Sequence, residues 1–134
     1  MNVDFNQFTE NSRQAITCAH RIARQCSYAS LEPAVLVVAI MQTDRDMVPF
    51  LLEQMNIEKV PFFTALSDAM QQLPHNGSAD GAITFSPATE QVLTTAQRLA
   101  QRSGSQVVAL EHIFWALYEV PGPVSYTHLR AHET

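Results

Sequence analysis

No stretch of this sequence is apolar for long enough to cross a bilayer: the longest run, Ala34 to Met41, falls far short of the roughly 18 residues a membrane helix needs. The N-terminus lacks the basic and apolar segments of a secretory leader, so a cytoplasmic protein without a membrane partner is expected. Positive charge is also scarce. With 8 Lys plus Arg against 13 Asp plus Glu and a formal net charge of -5, the chain has no basic footprint for a phosphate backbone, which argues against nucleic acid as a partner. Cysteine is limited to Cys18 and Cys26. Eight residues of straight helix separate them by about 12 Å, too far for a disulfide, and both are expected as reduced core residues. Only 4 glycines occur, and 46% of the residues are hydrophobic, so one globular domain is expected rather than a disordered tail.

A catalytic set is missing as well. Cys18 and His20 lie two apart on one expected helix and point to different faces, which rules out a direct dyad. His20, His75 and His112 fall in separate elements, with no HxxxH or CxxC spacing for a metal. No GxxxxGK[ST] is present, so ATP cannot be held in the P-loop manner. His112, at the start of an apolar helix, reads as a packing histidine, and Trp115 as core. A binding module is expected, with no catalytic residue, cofactor or metal of its own.

What the chain does contain is an internal repeat. Setting Phe8 on Phe85, an offset of 77 (85 minus 8), pairs Gln14 with Gln91, Thr17 with Thr94, Ala19 with Ala96, Arg21 with Arg98, Ala23 with Ala100 and Ala39 with Ala116, without a gap. Hydrophobic positions keep the register: Ile16 with Leu93, Ile22 with Leu99, Leu36 with Ile113, Ile40 with Leu117. In the first copy Ala15, Ile16, Ala19, Ile22, Ala23 and Cys26 recur at the spacing of one helical face. Thr9 caps that helix, and Ser86 followed by Pro87 caps its counterpart.

A nearly apolar helix follows at Pro33 to Met41, matched by Glu111 to Tyr118, and both are expected to be buried between neighbours. The first copy continues with Asp46 capping a short helix from Met47 to Met55, Asn56 as a left-handed stop, and a longer helix from about Glu58 to Leu73 ended by Pro74. His75 to Gly81 is a polar connector. The expected fold is all-α: tandem pseudo-symmetric four-helix repeats, the first over 5–74, a linker at 75–84, and an incomplete second repeat over 85–122. Without a third and fourth helix in that copy, Phe114, Trp115 and Tyr118 are expected to lie partly uncovered.

Residues 124–134, VSYTHLRAHET, resemble the translation of a transposon-derived adapter used in short-read sequencing libraries. The natural domain is therefore expected over 1–123, with Tyr126, His128 and His132 carrying no functional weight.

The copies FTENSRQAITCAHRIA and FSPATEQVLTTAQRLA, followed by LEPAVLVVAI and LEHIFWAL, resemble the N-terminal repeat domain of Clp chaperones over residues 5–120. Glu32-Pro33, PFLLEQMNI, ALSDAMQQLP and Glu111-His112 occur in the family's order, and the FNQFTENS opening looks most like the disaggregase branch, ClpB. Val35 departs from the histidine frequent there, and Asn56 from a common glycine.

The resemblance implies a mobile docking domain above a homohexameric ATPase whose ATP and Mg lie elsewhere in the parent protein. It would capture apolar segments of misfolded or aggregated proteins, or adaptor proteins, in an apolar groove between the two pseudo-symmetric halves. By family position Thr9, Ser105, Glu111 and His112 would be the substrate- or adaptor-binding residues, although a helix cap explains Thr9, and a cap or helix-dipole partner explains Glu111, about as well. A free-standing Clp-repeat adaptor is the alternative.

Overall fold

The computed structural model describes residues 3–75 and 83–120, and the 124–134 segment lies outside the described residues, as does most of the connector. Among the described residues the fold is all-helical: a 3-10 turn at Phe5–Gln7, then α1 (Glu10–Gln25), α2 (Pro33–Thr43), α3 (Met47–Gln54), α4 (Lys59–Gln71), α5 (Pro87–Arg102) and α6 (Leu110–Glu119).

The offset of 77 is kept helix by helix, since α1 and α5 begin at Glu10 and Pro87, α2 and α6 at Pro33 and Leu110. Both long helices start the same way. The Thr9 hydroxyl accepts the Ser12 amide at 3.1 Å and the Ser86 hydroxyl accepts the Thr89 amide at 3.2 Å, satisfying amides the helix leaves without partners. Acidic first-turn residues, Glu10 and Glu90, and basic last-turn residues, Arg24 and Arg102, complement the helix dipoles.

Both long helices also end alike, in a Schellman turn. Tyr28 and Ser27 donate their amides to the Ala23 and Arg24 carbonyls, as Ser105 and Gly104 do to Ala100 and Gln101. The residue in the left-handed region is Ser27 (φ 56) in one half and Gly104 (φ 80) in the other.

The halves interlock through their caps. Phe8 pairs with Val108 and Leu31 with Phe85 in isolated parallel bridges. The Thr9 amide donates to the Val108 carbonyl (3.0 Å) and the Val108 amide to Gln7 (2.8 Å). Their symmetry mates, Ser86 to Leu31 (3.1 Å) and Leu31 to Thr84 (2.9 Å), repeat the pattern. One buried hydroxyl per half seals each crossing: Ser12 donates to the Val108 carbonyl at 2.9 Å, and Thr89 to the Leu31 carbonyl at 2.8 Å.

Helix α2 is apolar all round because it is enclosed, touching α1, α3 and α4 of its own half and α5 and α6 of the other. Val35 is wholly buried. Three expectations need correction. Asp46 occupies the cap position of α3 as expected, but its backbone is αR and its side chain makes no cap bond; the turn into α3 is held by the Asp44 carboxylate, which accepts the Asp46 amide. Cys26 is exposed rather than core, since α1 ends at Gln25 and Cys26 already belongs to the turn, while Cys18 is buried. Phe114 is only 3% exposed, because Phe62 of α4 packs on it with ring centroids 5.9 Å apart; Trp115 and Tyr118 stay half-buried.

Candidate functional site

The residues singled out by sequence fall in three places. Thr9 and Glu111, from the starts of α1 and α6, line one cleft of about 250 Å³ together with Asp44, Met47 and Leu110. The Thr9 hydroxyl is heavily engaged, accepting the Ser12 amide and donating to the Ser12 hydroxyl at 2.9 Å. Glu111 is exposed in the first turn of α6, where the dipole favours a carboxylate.

His112, next along α6, is buried at 5% exposure. Ala109, at the cap position of α6, has no side-chain acceptor, and His112 compensates: its Nδ1 accepts the Ala109 amide at 3.0 Å. The imidazole proton therefore sits on Nε2, which faces the Ser103 hydroxyl at 3.4 Å. Ser105 stands apart in the loop between α5 and α6. Its hydroxyl accepts the Val107 amide (3.2 Å) and donates to the Val107 carbonyl (2.6 Å), shaping the approach to the Val108 bridge.

The apolar groove expected between the two halves is a second feature, and its lining residues are ones the sequence reading did not assign to it. On the seam between halves, Phe5, Ile16 and His20 from the first copy and Phe85 from the second line a groove of about 280 Å³, with Arg13 and Thr17 at its side. Phe85 lies 6.1 Å from Phe5 and 5.2 Å from the His20 ring, centroid to centroid. Burial of His20, reinforced by the Arg24 charge one turn along, holds its pKa below the usual histidine range, so the ring is neutral at neutral pH. The signal was present in part: Phe85 immediately precedes the Ser86 cap, but only the interlock shows that it meets α1 of the other half.

Cys18 and His20 do point apart. The Cys18 thiol donates toward Gln42 Oε1 (3.3 Å) and receives Arg21 Nη2 (3.4 Å), while His20 turns to Phe85. Among the described residues no cluster of three His, Cys, Asp or Glu side chains comes together, and no helix is long and apolar enough to cross a membrane.

Residues 7–128 match the model of the Clp repeat (R) N-terminal domain. The chaperone protein ClpB of Nitratidesulfovibrio vulgaris is 32% identical over 122 residues, 89% of this chain but 14% of that protein. ClpB of Porphyromonas gingivalis is 30% identical over 115 residues, covering 86% of this chain and 13% of the relative. The crystal structure of the Hsp104 N-terminal domain from Candida albicans superimposes with a TM-score of 0.72 at 26% identity, over 85% of this chain and 75% of that one. The interlocked repeats and the family match agree, and this chain belongs to the Clp repeat N-terminal domain family.

Proposed function

We propose that this domain captures exposed apolar segments of unfolded or aggregated polypeptides, or adaptor proteins, and presents them to a cytoplasmic homohexameric Clp ATPase. The observation that carries this reading is the seam groove, where Phe5 and Phe85 of opposite halves face each other over Ile16 and His20. Such a groove accepts diverse side chains because hydrocarbon contact imposes no hydrogen-bond code. Family membership and the ClpB names of its relatives support the rest, although the chain spans only 14% of the first of them.

Magnitude predicts weak capture. Burying one Leu or Phe side chain yields about 1.5–3 kcal/mol, whereas association costs at least about 4 kcal/mol in lost freedom. Several domains on one ring would compensate by avidity. Thr9 and Glu111 serve in this reading as a polar margin at the neighbouring cleft, with His112 and Ser105 holding the start of α6 and its loop in place. The domain performs no chemistry itself. Without a P-loop its residues do not fit ATP, and hydrolysis with its Mg falls to modules outside this chain.

The test is fluorescence anisotropy of a labelled, permanently unfolded polypeptide titrated with the domain in the absence of nucleotide. Saturable weak binding that drops at least about fivefold in Phe85→Ser is expected, one buried aromatic contact being worth more than the corresponding 1 kcal/mol. Undiminished binding by Phe85→Ser would remove the groove from the account, and substrate hydrolysis abolished by Cys18→Ala would overturn the non-catalytic reading.

A further inference from the structure

We propose that the seam groove is selective, taking apolar polypeptide segments that carry an aspartate or glutamate next to the anchoring side chains and rejecting those that carry lysine. The inference rests on the reading that the groove accepts apolar segments, and it adds the chemistry of the preferred partner.

The chain as a whole is acidic, with a net charge of -5, yet the groove is not. Its lining residues are Phe5, Arg13, Ile16, Thr17, His20 and Phe85, so its one full charge is the Arg13 guanidinium. Arg13 is already positioned: Nη1 donates to the Phe8 carbonyl at 2.9 Å, which leaves the remaining donors of the fork for a carboxylate. Holding the guanidinium in place before binding lowers the entropy lost on pairing.

The nearby acids are poor competitors. Asp4 turns back on its own backbone and accepts the Asn6 amide at 3.0 Å. Glu10, one turn before Arg13, is exposed, and such a pair on a helix surface contributes only about 0.2–0.5 kcal/mol. A carboxylate delivered by an adjacent apolar anchor arrives at high local concentration and displaces it. Arg24, a turn beyond His20, acts in the same sense as Arg13, and His20 itself is neutral near pH 7 and does not oppose an anion. At about 280 Å³ the groove holds one or two side chains, which suits a short linear segment.

The experiment uses the intact domain and three labelled dodecapeptides, acetylated and amidated at their ends. They share a Leu-Phe-Leu centre and differ only in a flanking Glu, Gln or Lys. The Glu peptide is expected to bind about fivefold tighter than the Gln peptide at low salt, the upper range for a partly exposed ion pair, and the Lys peptide weakest. In Arg13→Gln the three affinities converge, while Arg13→Lys keeps part of the preference; circular dichroism confirms that both variants fold. Equal binding of the Glu and Gln peptides, or a preference that survives Arg13→Gln, overturns the selectivity and leaves capture standing. Failure of all three peptides to bind overturns both. Concentration-dependent self-association abolished by Arg13→Gln would make a second copy, through its exposed Phe50 and Glu53, the occupant instead of a client.

Discussion

The two halves solve the same problem with different residues. Thr9 and Ser86 exchange cap hydroxyls, Ser12 and Thr89 exchange the hydroxyl that reaches across, and in every case the geometry is conserved within a few tenths of an ångström. The turn after the long helix is unequal, with Ser27 where the other half has Gly104. The halves also differ in reach, since α3 and, through Phe62, α4 of the first half touch α6 of the second as well as their own α2. Matching crossings show that neither half is a free-standing unit: each one's cap finishes the other's backbone. The groove exists only because of that interlock.

The strongest way to break the comparison is Phe62→Ala. Phe62 is 1% exposed and packs against Phe63 and Phe114, so its loss costs about 3–5 kcal/mol. Chemical denaturation should give that loss in one transition, and hydrogen exchange should show α6 losing protection together with α4. Separate transitions for the halves would contradict the interlock.

Next in size are the crossing hydroxyls. Ser12→Ala and Thr89→Val should each cost about 1 kcal/mol, because each removes one buried donor while the Val108 and Leu31 carbonyls keep the Thr9 and Ser86 amides. Pseudo-symmetry demands similar values, and urea unfolding of both variants checks it. The unequal turn gives a smaller effect of opposite signs. Ser27→Gly should stabilise by about 0.5–1 kcal/mol by relieving a left-handed serine. Gly104→Ala should destabilise comparably through its φ alone, since a Cβ there meets nothing within 4 Å.

The smallest effect is on pH. His20 has a lowered folded-state pKa, so below the unfolded value of 6.5 the unfolded chain binds the proton first, and stability falls as pH drops until the folded-state pKa is passed. A thermal melt should decline modestly between pH 7.5 and 5, and His20→Gln should flatten part of that decline.

Much of this was legible in the sequence, and for a physical reason. Caps, left-handed stops and the register of apolar residues are local, so Thr9, Ser86, Asn56 and the offset of 77 could be read directly. Asp46 misled because two acids stand side by side at the turn and sequence cannot say which one bends back; Asp44 does. Cys26 misled because helical periodicity was carried one residue past the end of α1. An apolar groove between the halves was expected, but its lining residues were hidden for a deeper reason. Phe5, His20 and Phe85 meet only after the chain has crossed between halves, and no spacing along the sequence encodes that distance.

The most direct measurement is an amide chemical-shift titration of the domain with an unlabelled unfolded polypeptide. The account predicts that the largest shifts cluster at Phe5, Arg13, Ile16, His20 and Phe85, in both halves at once. Shifts confined to one half, or centred on the exposed Phe50 and Val60, would contradict it.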